Sequence, residues 1–413
     1  MSAAPTRPAP GAHDGGADGD VLLGHALALG ALDGLGPVRL GGILRRWHPV
    51  EAWERIRRGG GADLLDPGVL RGTDPAVFAA SLAAQAADLQ PSRCLDDCRR
   101  LGLGVAVAPA PWTAGLPVVP AALLDDPAPP ALLVWAGDLD GVLTRPAVAV
   151  VGTRRATGVG RSVAHELGAA LAADGVAVVS GLARGVDAAA HAGALTVPGG
   201  GPPIAVIASG HAALYPREHT ALAREVAERG VVLSEVGPRS GATRWRFPQR
   251  NRLIAALAAV VVVVESDDTG GSLITVDEAV VRGRPVMAVP GSVRSPQSRG
   301  TNRLIAEGAL VARDALDVRL VLGLVEPGPA AGVAAPIRSG PTAPDGPGDP
   351  LGAAIVATLG TGPAALDALA EGLGVELVAV ACAASDLEAD GWVTRVGAVL
   401  ELAPRPTRSV GRR

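Results

Sequence analysis

The chain has 413 residues, 48% of them hydrophobic, with a formal net charge of -4 and an isoelectric point near 6.0. This length holds a sizeable core and more than one domain, while the charge excludes a globally basic coat for nucleic acid; affinity for a phosphate polymer has to come from a local patch. Every one of the 37 basic residues is arginine, so a Walker A loop, which needs lysine, is excluded. The lysine-free composition is what a G+C-rich genome produces. Cys94, Cys98 and Cys382 are too few for a disulfide framework and lack a second pair for zinc, which fits a reducing cytoplasm. No apolar run reaches the roughly 18 residues of a membrane span, so neither a membrane partner nor export is expected.

In chain order, residues 1–19, rich in Ala, Pro, Gly and Asp, read as a disordered tail. Residues 20–101 have helical apolar spacing broken at Gly34-Leu35-Gly36-Pro37 and Gly59-Gly60-Gly61, which predicts a small all-helical domain. Its LDGLGPVRLGGIL stretch fits a helix-hairpin-helix turn, in which glycines let backbone amides approach a phosphate. An ordinary tight turn is the commoner use of such a sequence.

From 102 to 325 strands and helices alternate, with strands predicted at 148–151, 176–180, 204–208, 231–234, 260–265 and 286–289. This is the pattern of an open parallel α/β sheet with right-handed crossovers. Ligands of such sheets bind beyond the carboxyl ends of the strands. Here those loops are VGTRRATG, SGLARGVD, ASGHAALYP, SEVGPRSG, ESDDTGGS and VPGSVRSP. The turn after the first strand, Gly152 to Gly160, lacks the G-x-G-x-x-G spacing of a nicotinamide site and carries two arginines suited to several phosphates.

The densest cluster lies at 244–278. Arg244, Arg246, Arg250 and Arg252 interleave with Trp245 and Phe247 in a chain that is only 2% aromatic. A buried strand follows, and then the turn Thr269-Gly270-Gly271-Ser272 opens a helix whose free N–H groups favour an anion. The two aromatics are candidates for stacking on bases or for anchoring the core. Asp187 and His191, four apart on one helix face, read as a structural hydrogen-bonded pair in preference to an acid and base. Residues 326–349 have linker composition. Residues 350–404 predict three helices and a hairpin, a winged helix, followed by a tail at 405–413. The third helix, 375–389, has no arginine and carries acids, which favours protein contact over groove reading.

The motifs VAVVGTRRAT at 148–157, SGLARGVDAAAH at 180–191, YPREH at 215–219, SEVG at 234–237, FPQRNRLIAAL at 247–257, GGSLIT at 270–275, VPG at 289–291 and NRLIAEGA at 302–309 occur in one order. They resemble the DNA-processing protein A family (DprA, also called Smf) over roughly residues 20–402. The resemblance implies an extended Rossmann-like open parallel sheet, preceded by a helical, SAM or helix-hairpin-helix-like domain and followed by a winged helix. It implies no cofactor and no catalytic reaction: a cytoplasmic protein that binds single-stranded DNA and helps load the RecA recombinase, in natural transformation (competence) or another recombination process. By the same resemblance, Thr153, Arg154, Ser180, Gly181, Arg184, Arg217, Arg250, Asn251, Arg252, Gly271, Ser272 and Thr275 line a basic DNA pocket, with a cap within the turn an alternative role for Asn251. A homodimer contact through Leu304, Ile305 and Leu310 is implied, although a buried core helix explains these residues too. Departures are Leu182 where glycine is common, His211-Ala212-Ala213 where an Asp is usual, and the added Arg239, Arg244 and Arg246. Two rivals come from other classes. GGSLITVDE resembles the turn of nucleoside-monophosphate phosphoribohydrolases of the lysine-decarboxylase-like family, in which Glu278 would be catalytic. A winged-helix transcription regulator is the other.

Overall fold

The computed structural model describes residues 17–65, 74–324, 350–359, 362–389, 392–396 and 399–402. The chain divides into two compact units, Met1–Pro327 and Gly328–Arg413. In the first, β1 (Gly104–Val107), β2 (Leu132–Gly137), β3 (Ala147–Val151), β4 (Ala177–Ser180), β5 (Pro203–Val206), β6 (Val231–Ser234), β7 (Val260–Val263), β8 (Val286–Ala288) and β9 (Leu310–Val311) form one sheet in the order β1-β2-β6-β5-β4-β3-β7-β8-β9. From β6 to β9 all pairings are parallel. The sheet is nevertheless not purely parallel as expected, because β2 runs antiparallel to β6 and β1 antiparallel to β2. These two strands escape the sequence reading because the Pro-rich connection between them holds only the four-residue helix Ala121–Leu124 and breaks the strand–helix rhythm.

The valine runs explain the middle of the sheet. In β3 and β7, Ala149, Val151, Val261 and Val263 face one core, while Val148, Val150, Val260 and Val262 face the other. That is the period-two alternation of a strand buried on both faces. Leu253 and Ile254 of helix Arg246–Leu257 and Val276 of helix Ser272–Val281 complete the first core. Leu167 and Leu171 of helix Gly158–Ala173 and Ala190 of helix Val186–Leu195 complete the second. The chain steps outward from β3 to β4, β5 and β6, then returns to place β7 on the other side of β3. The strand order therefore reverses at β3, where such sheets open a crevice.

Helices Pro37–Arg46, Pro49–Arg57, Pro75–Ala87 and Pro91–Arg100 each begin with proline, whose missing N–H costs nothing at that position. They pack with helix Ala17–Ala31 into a core that also takes Leu132 and Val134 of β2, so the helical segment and the sheet belong to one unit. Residues 17–19, read as tail, are instead the first turn of that helix, whose Asp20 accepts from Arg99 Nη2 at 2.5 Å. The rest of the expected tail, the linker at 326–349 and the end at 405–413 lie outside the described residues. The second unit runs helix Pro350–Leu359, β10 (Ala364–Ala365), helices Leu366–Leu373 and Leu377–Ala389, β11 (Val393–Val396) and β12 (Val399–Leu402), with an antiparallel sheet in the order β10-β12-β11. Ile355, Leu369, Val380 and Leu387 fill its core.

Leu182 has φ of 55°, the left-handed region where a side chain costs roughly 1–2 kcal/mol and glycine is at ease. Its side chain is fully buried with Ala205, Ile207 and Val226, a gain of about 2 kcal/mol that offsets the strain.

Two histidines are held neutral. Burial pulls His191 from 6.5 down to about 3 and His211 down to about 4, the latter donating from Nε2 to the Val232 carbonyl at 3.1 Å. Below pH 6.5 the unfolded chain takes up protons that the folded chain refuses. Their contribution is therefore complete above pH 6.5 and is lost, at about 1.4 kcal/mol per pH unit per histidine, as pH falls toward their folded values. In thermal melts between pH 7 and 4, His191→Gln and His211→Gln should each lose stability less steeply on acidification than the parent chain. Slopes identical to the parent would contradict this assignment.

Candidate functional site

At the reversal point the loops after β3, β4 and β7 and the start of helix Arg246–Leu257 enclose a cavity of about 410 Å³. Thr153, Arg154 and Arg155 come from the first loop, Ala183 and Asp187 from the second, Gly270 to Thr275 from the third, and Phe247, Arg250 and Asn251 from the helix. Seven of the expected residues thus meet in one place: Thr153, Arg154, Arg250, Asn251, Gly271, Ser272 and Thr275.

Arg250 forms the buried floor. Its Nη1 donates to the Gly181 carbonyl at 2.6 Å and to the Val206 carbonyl, and its Nε to Asn251 Oδ1 at 3.2 Å. Burial draws its pKa down to about 10, opposed by the nearby Asp187 carboxylate, so it remains a cation at neutral pH. Burial likewise raises the Asp187 carboxyl, with Arg250 opposing. Gly181 lets both approach: an added Cβ would lie 2.5 Å from Arg250 Nη2 and 2.6 Å from Asp187 Oδ2. The expected Asp187–His191 hydrogen bond does not form. Asp187 Oδ2 turns instead to the backbone amides of Gly181 and Ala183, at 3.1 and 3.3 Å, because these loop donors would otherwise be buried unpaired.

Arg154 and Arg155 are exposed, and among the described residues neither forms an ion pair. Arg154 stands 4.5 Å over the Phe247 ring, whose edge meets Tyr215 at 5.8 Å. Asn251 Nδ2 donates to the Gly271 carbonyl at 3.2 Å, bracing the Gly-Gly turn. Ser272 donates to Ser266 Oγ at 2.9 Å, and both Ser272 and Thr275 are buried at the first turn of helix Ser272–Val281.

Five expected residues do not line the cavity. Ser180 is fully buried and donates to the Val150 carbonyl at 2.7 Å. Gly181 packs beneath Arg250, as above. Arg184 is exposed but bound at both nitrogens by Glu218, at 2.6 Å each. Arg252 is buried against Glu235 and the Ala128 carbonyl, a structural ion pair. Arg217 is exposed in the turn Arg217–His219, next to the Tyr215 that packs on Phe247. Of the added loop arginines, Arg239 pairs with Asp97 and Arg246 with Asp33, fastening the loop to the helical segment, and Arg244 is exposed. Trp245 lines a different groove.

Sequence reasoning read both arginines of the first loop as suited to phosphate but carried only Arg154 into the pocket, and it missed Glu265. The buried Glu265 carboxylate accepts from Thr157 N at 2.9 Å and Thr157 Oγ1 at 2.6 Å, and Thr157 Oγ1 in turn accepts from Gly160 N at 3.0 Å. Its carbonyl accepts from Thr153 N at 2.7 Å. It thus braces the whole loop that carries Arg154 and Arg155. The available signal was a single acid ending a valine strand. Glu278, the catalytic candidate of the rival enzyme, lies outside the cavity lining and pairs with Arg282 Nη1 at 2.5 Å, which does not favour that reading.

The cavity wall therefore carries three guanidiniums and one carboxylate that is already spent on backbone amides, an arrangement that attracts anions. Residues 113–322 match the family described as DNA recombination-mediator protein A. The chain is 39% identical over 190 residues to the DNA processing protein DprA of Bacillus subtilis, a stretch covering 46% of this chain and 63% of that protein, so it spans less than two thirds of the relative's length. The structure of DNA processing protein A from Streptococcus pneumoniae is similar at 28% identity and a TM-score of 0.54, covering 72% of this chain and 97% of that one. That from Helicobacter pylori, described for its single-stranded DNA binding mode, matches at 30% identity and a TM-score of 0.46 over 51% of this chain and 94% of its own. With half of its length matched by the family and the strand-end cavity inside that half, the chain belongs to the DNA recombination-mediator protein A family.

Proposed function

We propose that this protein binds single-stranded DNA in the cavity at β3, β4 and β7, gripping it by its phosphates, and that it acts by binding and not by catalysis. The observation that carries this reading is the convergence of exposed, carboxylate-free Arg154 and Arg155 with the buried cation Arg250 and the opening turn of helix Ser272–Val281. Side chains and helix N-termini of this kind hold phosphates without reading sequence. A concave site of about 410 Å³ suits a short stretch of one flexible strand. Phe247, on the same wall, offers an aromatic face to a base.

The finer roles rest on family membership. We assign the chain to DNA processing in the cytoplasm, with RecA loading in natural transformation or another recombination process as its outcome. Among the described residues no single helix is long and apolar enough to cross a membrane. Self-association is assigned to edge strand β9, where Leu310 and Val311 are 48% and 40% exposed; Leu304 is buried in the core, and half-buried Ile305 packs against that core. The order of helices and strands in the second unit supports a winged helix. Helix Leu377–Ala389 has no arginine and carries Asp386 and Glu388, which supports a protein partner for it.

Fluorescence anisotropy across a salt series tests the binding. Single strands should bind more tightly than duplex, with a slope of about -0.7 per neutralised phosphate, and Arg154→Ala should weaken binding and reduce that slope by roughly one such unit. Equal affinity for duplex, or no effect of Arg154→Ala, would contradict the assignment. Arg250 should behave differently because it is structural as well as cationic. Arg250→Met is expected to lower stability by about 3 kcal/mol in denaturant melts, leaving Asp187 without its compensating charge, whereas Arg154→Ala should melt like the parent. Equal stability of the two variants would remove Arg250 from the cavity floor.

A further inference from the structure

The start of helix Arg246–Leu257 has a second wall, turned toward the glycine turn of the helical segment. Gly34, Gly36, Val38, Arg39, Trp245 and Gln249 line a groove there of about 390 Å³. A small cleft lies between it and the strand-end cavity: Arg250 lines both cavity and cleft, while Gly36, Trp245 and Gln249 line both cleft and groove. Phe247 in the cavity and Trp245 in the groove are two residues apart at the start of one helix.

The groove has the chemistry of a base site. The half-buried Trp245 ring is held from one side by Arg246, 5.1 Å from its centroid. Arg246 is itself fixed by the Gly241 carbonyl at 2.6 Å and Asp33 at 2.8 Å, so the indole is pre-positioned. Gln249 also lines the groove, and its amide oxygen is buried against Gly36 with no hydrogen-bond partner. Gly36 lets that amide lie against the turn, since an added Cβ would stand 2.7 Å from the Gln249 oxygen. A buried acceptor left empty costs free energy, which a turn of the Gln249 side chain toward a ligand's N–H recovers. Nucleobases supply both an N–H donor and a flat face, and exposed Arg244 next to Trp245 adds charge for the connecting phosphate.

We propose that this groove takes a base of the same DNA strand whose phosphates occupy the cavity, with Trp245 stacking on it and Gln249 hydrogen-bonding its edge. This rests on the single-stranded DNA reading above, and it adds a base-contact subsite shared between the glycine turn of the helical segment and the start of helix Arg246–Leu257.

Anisotropy with an intact oligonucleotide and with a set carrying one abasic site at successive positions tests it on the full chain. Trp245→Ala should bind the intact strand about tenfold more weakly, with an unchanged salt slope, because a base contact releases no counterions. Trp245→Phe should retain most of the affinity. One abasic position should weaken the parent chain and leave Trp245→Ala unaffected. Should Trp245→Ala fail to fold, Gln249→Ala replaces it, with the same position-specific loss of sensitivity expected. If Trp245→Ala or Gln249→Ala matches the parent while Arg154→Ala is weakened, the groove is not a base site and the cavity reading stands. Absence of single-strand binding by the parent chain overturns both.

Discussion

A buried cation, Arg250, is the constraint on which the rest of the site depends. Taking a guanidinium out of water is costly unless its donors and charge are answered. Here the Gly181 and Val206 carbonyls and the neighbouring Asp187 carboxylate answer them. The two carbonyls sit at the ends of β4 and β5, and Asp187 in the first turn of helix Val186–Leu195, so the same interactions that make the burial tolerable also lock helix Arg246–Leu257 across the strand ends. The cavity consequently has a fixed positive floor, while Arg154 and Arg155 above it remain exposed and available to follow a polymer.

A second constraint decides where an anion sits. In a Rossmann-like sheet the helix after the first strand offers its N-terminus to phosphate. In this chain Glu265 already fills that position, accepting from Thr157 where helix Gly158–Ala173 begins, with Gly160 so close that an added Cβ would meet the carboxylate. The fold's usual nucleotide seat thus holds an internal anion. That anion spends itself on ordering the arginine loop, so in the proposed binding mode external phosphate falls to the arginines and to the turn at Gly270–Ser272.

Much of this was legible in the sequence. The parallel strands β3 to β8 announced themselves as short valine-rich runs, whereas the two-residue β9 did not, and the Gly, Arg and Ser content of the loops after them pointed to the strand-end edge where the cavity lies. Arg154, Arg250 and the Gly-Gly turn stood out because chemistry and strand-end position coincide there, Asn251 was pointed to only by the family motif, and all of them line the one cavity. What the sequence hid was partnership at a distance. Arg184 and Arg252 look like Arg154 in one dimension, yet each is bound to a glutamate 34 or 17 residues away, Glu218 or Glu235. Likewise Trp245 and Phe247, adjacent in one cluster, point into different recesses because the helix start separates them. β1 and β2 stayed hidden because no helix follows either in the manner of the parallel strands.

The central claim is that single-stranded DNA lies across the reversal point at β3. Hydrogen exchange of the full chain with and without a short single strand tests it most directly, since ordered phosphate contacts to backbone amides slow their exchange. The account predicts protection of 152–157 and 270–275 together. Unchanged exchange in both loops, with protection confined to 377–402, would place the DNA elsewhere and contradict it.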